Sequence, residues 1–430
     1  MKANGRSVPE SAAAPSERGE SPRPRLLDRL KRFGPVTVVT LLSQFVSAAV
    51  LLVLPQLGRS TADIYSLGIQ TGYASIGGVV IGVVYNLALG RPDFRHWKWS
   101  AFASFAFSLA LGGITWAVVS GTSGDGRFGS WEAIIVLGAF ALGGGFLGIS
   151  GTLAVRLACL GRPVPLVAAT VVPAAALLIT VPGSHLLDLP IVLPAIVWCF
   201  VCALEVLVFM RLRLPELEKA ENTQGDSRRR QLTHALALAV GVITSSILPS
   251  VYLASLAQLP AGTTSLTFLV SRIGTAAVGL GVNSLLLASV NWRSGVPEVR
   301  RSPVVLVSLA CALGLVYVSV NPFERGNTIA YGTLVLAWLS LLVAGALTIR
   351  IANARRLVRA ITFKVGIDLL LSASAALYLL AHPAVGSYFA VYMLSQSVTT
   401  AVFGFALRRR GLAVVSLLAA VMSVIIILEG

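Results

Sequence analysis

Apolar residues occupy this chain in long unbroken runs, separated by short polar and basic stretches. Thirteen such runs can be drawn, at 36–57, 65–90, 98–120, 132–158, 163–182, 188–210, 233–257, 263–290, 303–320, 327–349, 357–381, 383–407 and 411–428. Each is long enough, as a helix, to cross a hydrocarbon core about 30 Å thick. They lack the strict polar–apolar alternation of a membrane-spanning strand, so the pattern predicts helices throughout. The expected fold is an all-α polytopic membrane protein with about thirteen transmembrane helices.

Within those runs one pattern recurs. Ile76-Gly77, Gly82 and Asn86 in the second run match Ile273-Gly274, Gly279 and Asn283 in the eighth. Each copy is preceded by a Gln-Leu pair, Gln56-Leu57 and Gln258-Leu259, that closes the run before it. Self-similarity of this kind predicts duplicated halves that face one another. The longest internal polar stretch, Arg211 to Gln231, lies between the sixth and seventh runs, where two six-helix units would join. An even number of spans per unit makes the repeat parallel, its axis along the membrane normal. The expected division is a basic, disordered cytoplasmic tail at 1–34, an N-lobe at 35–212 and a cytoplasmic linker at 213–232. A C-lobe at 233–407 follows, then an additional span at 408–430. No cleavable signal peptide is read in the first 34 residues.

Breakers are concentrated in particular runs. Pro165, Pro173 and Pro182 interrupt the fifth, and Pro249 sits within the seventh, where a missing N–H kinks a helix. Gly143, Gly144, Gly145, Gly148 and Gly151 in the fourth read as a close-packing surface of the small-xxx-small type. The glycines of the second and eighth runs, placed alike, read in addition as points where helices bend or slide.

Charge settles orientation. The net charge is +16, yet only 12% of residues are charged and 56% are hydrophobic. With the N-terminus in the cytoplasm, 29 of the 34 basic residues fall on inner segments, while the outer loops hold Arg59, Arg127 and Arg325. This is the positive-inside rule at every hairpin. The basic surplus therefore encodes topology and contact with anionic membrane lipids, and a nucleic-acid partner is excluded. Arginine outnumbers lysine and alanine is abundant, as in GC-rich bacterial genomes, and the expected location is a bacterial cytoplasmic membrane.

The ionisable residues inside the runs each need a reason, because a charge at the bilayer centre costs a few kcal/mol. Arg272 lies one residue before the second repeat motif. Its planar fork of donors suits a phosphate or carboxylate, and pairing with a structural acid or with helix C-terminal carbonyls is the alternative. Lys364 and Asp368 are four apart on the eleventh run, so they either neutralise one another or offer a proton-coupling acid. Glu205 in the sixth run is an alternative proton or cation site, or an acid that reaches the inner interface. Gln44, Gln70, Tyr73 and Asn86, with Tyr252 and Asn283, are neutral candidates for lining a cavity, and each could equally bond a neighbouring helix. Arg59 and Asp63, read as parts of the first outer loop, could pair with each other.

Enzyme chemistry finds no support. His96, His185, His234 and His382 are scattered, and no HExxH, GxSxG or GxxxxGK[ST] motif occurs. Cys199 and Cys202 form a CxxC on an apolar helix without other ligands nearby, so buried thiols are expected, with no metal and no cofactor. The outer loops are too short for a catalytic domain.

Leu41-Leu42-Ser43-Gln44, then Leu54-Pro55-Gln56-Leu57-Gly58-Arg59, then Ile64-Tyr65-Ser66-Leu67-Gly68 resembles the opening of polysaccharide (O-antigen type) flippases. Those belong to the superfamily that also holds the lipid II flippase and the MATE multidrug exporters. The resemblance covers 36–407 as a layout and the first two spans as residues. It implies two lobes around a cavity lined by helices one, two, seven and eight, rocking between inward- and outward-open states. It also implies a lipid-linked glycan substrate whose pyrophosphate is held by cavity arginines, a role open to Arg272 and, nearer the outer mouth, to Arg59. Glycan-synthesis enzymes are possible partners. Against it stand three alternatives: a cation-coupled exporter of the MATE kind, a membrane enzyme, and a non-transporting scaffold of envelope glycan synthesis. The few cavity cations and the thirteenth span depart from the family pattern.

Overall fold

The computed structural model describes residues 26–85, 96–122, 126, 128–159, 164–211, 240–241, 246–278, 302–320, 328–354 and 357–429. Among them every element is helical. Helix α1 (Leu26–Val53) ends in a 3-10 turn, Leu54–Leu57, and α2 (Arg59–Ala74) continues as a π-helix from Ser75 to Tyr85. There follow α3 (Trp97–Thr122), α4 (Trp131–Cys159), α5 (Val164–Ala168), α6 (Val171–Leu186) and α7 (Leu193–Arg211). After the polar linker come α8 (Leu248–Ser255) with a 3-10 turn at Leu256–Gln258, and α9 (Thr263–Val278). Then α10 (Ser302–Val320), α11 (Thr328–Ala354), α12 (Val358–Ala381), α13 (Val385–Ala406) and α14 (Arg410–Glu429) complete the bundle.

Ten of these stretches are long and apolar enough to cross a membrane, and Leu42–Leu57 is a shorter apolar one. They coincide with the predicted runs. The seventh and eighth runs are described only in part, by α8 and α9. The fifth is broken between α5 and α6, where Pro165 and Pro173 flank the turn at Ala169 and Thr170.

The predicted glycine surface of the fourth run is a packing surface. Around α4 lie α2, α3 and α7. A Cβ on Gly144 would meet the Gly72 carbonyl oxygen at 2.6 Å, and one on Gly148 would meet Ser104 at 2.7 Å. Trp198, fully buried, fills the space that Gly143 and Gly72 leave and tilts against Phe140 at 4.7 Å. Lipid gives no hydrophobic drive for helix association, so close approach of this kind is what holds such a bundle together. Gly68 and Gly274 are packing positions too, against Phe140 and Trp338. Gly77, by contrast, has nothing within 4 Å of a Cβ and lies in the π-helix, as a bend point requires.

The thirteenth run is bound in. Helix α14 packs along α13 and α10. Tyr378 on α12 donates to the Ile427 carbonyl at 2.9 Å.

Candidate functional site

The N-terminal half of the chain, α1–α7, meets the C-terminal half, α8–α14, where α2 and α1 pack on α9, and where α8 packs on α2 and α3. Both halves approach this seam through the same local device. Each has a 3-10 turn, Leu54–Leu57 or Leu256–Gln258, and then a glycine of positive φ, Gly58 at 95° or Gly262 at 96°. That backbone is open to glycine at little cost, so each chain reverses sharply into the next helix. The Gln-Leu pairs of the sequence repeat mark these turns.

In the middle of the seam Arg272 of α9 reaches across to α2, where its Nη2 donates to Gln70 Oε1 at 3.1 Å. Its guanidinium carbon lies 4.9 Å from the centre of the Phe268 ring, one turn earlier on α9. Tyr73, Tyr388 and Tyr392 stand within electrostatic range. Among the described residues no carboxylate pairs with Arg272. Within the described residues, the group that holds the charge is a neutral amide and not a structural acid.

Aromatic hydroxyls extend from this point. Tyr388 and Tyr392 on α13 contact edge to face at 5.2 Å, and Tyr392 meets Tyr252 of α8 at 5.7 Å. Tyr252 donates to the Ser372 carbonyl of α12 at 2.8 Å. On the other side, Tyr73 turns its hydroxyl to the Thr170 carbonyl at 3.4 Å, at the break in span five, and its ring against Trp198.

The remaining candidates lie at its edge or beyond it, Glu205 within electrostatic range of Tyr73 and Asp368 of Tyr252. Lys364 and Asp368 are bonded to each other at 2.5 Å, and Ser395 donates to Asp368 at 3.4 Å, so the ammonium already occupies the carboxylate. Glu205 lies half-buried on α7 beside Ser150, its Oε2 without a hydrogen-bond partner, in the first half of the bundle. Gln44 is half-buried on α1, outside the hydrogen bonds of the cluster. Asn86 and Asn283 lie outside the described residues.

Asp63 is not a loop residue. Because Gly58 completes the turn, α2 begins at Arg59, and Asp63 is buried in its second turn. Its two carboxylate oxygens accept the backbone N–H groups of Gly262 and Ser265, both at 2.8 Å, at the start of α9. An acid of one half thus caps a helix of the other. Arg59 is exposed, with its stem over Gly262 across the same seam. Sequence reasoning also missed Tyr388, Tyr392 and Phe268, whose only signal was aromatic character inside apolar runs.

A fold built this way, from ten or more apolar helices with a polar junction where two halves meet, is that of a multi-pass membrane protein. Among solved structures it matches the lipid II flippase MurJ in an inward closed conformation, with a TM-score of 0.58, over 93% of each chain and at 13% identity. At that identity the likeness concerns the fold. No family profile matches the chain, and no curated protein matches it in sequence.

Proposed function

We propose that this protein is a flippase of the superfamily described above, moving a lipid-linked oligosaccharide or polysaccharide precursor from the inner to the outer leaflet by alternating access. The observation that carries the reading is Arg272: an intramembrane cation where α9 meets α2, with no acid to neutralise it among the described residues. A buried guanidinium with unused donors binds an anion when one arrives, and a phosphate or pyrophosphate head matches its fork. Phe268 and the three tyrosines give the surroundings in which a sugar ring or lipid neck can pack. The match in fold to a protein that flips a lipid-linked precursor supports the same reading.

In this reading residues 35–212 and 233–407 are the two lobes, joined by the linker at 213–232, and 408–430 is an addition to the second. The N-terminus is cytoplasmic, in a bacterial cytoplasmic membrane. Gln70 positions Arg272 while the site is empty, and Tyr73 and Tyr252 border it. A cation-coupled drug exporter would need an acid open to the coupling ion; Asp368 is occupied by Lys364, so that reading would have to use Glu205, whose Oε2 has no hydrogen-bond partner.

The test is flipping of a fluorescent lipid-linked oligosaccharide by purified protein in liposomes. Arg272→Ala is expected to reduce it about 10- to 100-fold, the worth of a hydrogen bond to a charged group, while membrane insertion is unchanged. Flipping at the wild-type rate removes Arg272 from the site.

A further inference from the structure

The inner ends of α12, α13 and α14 enclose a groove that the transport reading leaves unused. Two adjoining cavities, of about 540 and 470 Å³, open there, and Phe405 lines both. The first is bordered by Arg408 and Arg410, the second by Arg359. The lining of the second is apolar and open, formed by Phe363, Ile367, Val402 and Leu417. A basic rim over an apolar trough is the profile of an amphiphile with a negative head.

The rim is built rather than loose. Helices α13 and α14 join in a tight turn in which Arg408 takes a φ of 57°. Arg408 N–H bonds to the Phe405 carbonyl at 3.0 Å and Arg409 N–H to the Gly404 carbonyl at 2.8 Å. The two helices cross so closely that a Cβ on Gly404 would lie 2.9 Å from the Ala413 nitrogen. The backbone that carries Arg408, Arg409 and Arg410 is therefore held in place beside the groove, and their side chains are exposed. Among the described residues none of Arg359, Arg408, Arg409 and Arg410 pairs with an acid. Asp368, the acid of α12, is 2% exposed and bonded to Lys364.

We propose that this groove holds an anionic phospholipid of the cytoplasmic leaflet, its acyl chain along Phe363, Phe405 and Leu417 and its phosphate on Arg408, Arg410 and Arg359. Clustered arginines at the inner membrane surface attract such headgroups, and guanidinium donors match phosphate oxygens. The proposal rests on the orientation used above, with these helix ends on the cytoplasmic side, and not on the identity of the transported substrate.

The experiment is native mass spectrometry of the full-length protein with phosphatidylglycerol and phosphatidylcholine added in equal amounts. Wild type is expected to retain about tenfold more phosphatidylglycerol. The combined variant Arg359→Gln, Arg408→Gln, Arg410→Gln should lose that preference, and Leu417→Trp, which fills the trough and keeps the charges, should lower retention of both lipids. Equal binding of the two lipids by wild type, or full preference in the triple variant, overturns the proposal. So does displacement of phosphatidylglycerol by a much lower concentration of polyprenyl phosphate, which would make the groove a seat for the carrier lipid. Lipid retention is read without transport, so a failure here is distinct from a failure of the flippase reading.

Discussion

An arginine inside a membrane normally comes with the acid that neutralises it, and Arg272 comes with a glutamine. That difference decides how its variants behave. Arg272→Lys keeps the charge and loses the fork, so it should recover only part of the flipping lost in Arg272→Ala, the liposome assay separating the two. Gln70→Leu, which removes the neutral partner alone, should slow flipping less than Arg272→Ala. The opposite ranking would make the amide the binding group. Lys364 and Asp368 show the other arrangement. Removing one member of a buried pair strands the other, so Asp368→Asn should destabilise the protein by about 3–5 kcal/mol, whereas Lys364→Met with Asp368→Leu should restore most of the loss. Thermal unfolding in detergent measures both. The double variant then gives a clean test of ion coupling: transport that keeps its full response to a pH gradient excludes Asp368 from that role.

At the scale of helices, much was legible because bilayer thickness imposes a minimum length on any apolar run, and thirteen runs meet it. Proline breaks were legible for the same kind of reason, since a missing N–H acts locally. The second half of the site was not. Tyr388 and Tyr392 are ordinary aromatic residues on α13 until that helix is known to lie beside Arg272, and adjacency of helices is a tertiary fact. Asp63 was read as a loop residue because the turn at Gly58 takes a single residue outside the helices, shorter than the polar stretch implied. The glycines divide along a physical line that the sequence hides. Gly144→Ala should destabilise by about 1–3 kcal/mol, since its Cβ would press on the Gly72 backbone, which has little room to move. Gly77→Ala meets open space and should leave the melting temperature within a degree or two or raise it. Equal losses from both would mean that packing does not distinguish them.

For the molecule as a whole, the proposed rocking motion requires the outer seam to part once in each cycle, and Asp63 is the side chain that spans it. Its carboxylate satisfies two N–H groups at the positive end of α9. A cap of this kind is worth about 0.5–2 kcal/mol. It therefore weights the balance between the closed and open outer face by about 2- to 30-fold without making opening prohibitive. Asp63→Ala should shift that balance toward opening, and Asp63→Asn, which keeps one acceptor oxygen, should shift it less. Spin labels at Gln56 and Ala261, one on each outer turn, report the separation directly by pulsed dipolar spectroscopy. A longer-distance population should grow from Asp63→Asn to Asp63→Ala. A return to the wild-type distribution would be expected on adding a ligand that favours the closed outer face. Flipping itself should change in either direction according to which step limits it, but it should change. Because the cap joins two segments that leave the same kind of turn, it is also where they differ: counted from the two positive-φ glycines, Gly58 and Gly262, the position of Asp63 is taken by Thr267. Only one half can hold the other by this means. An unaltered distance distribution in Asp63→Ala would show that the outer face is held by packing of α8 against α3 and not by this carboxylate.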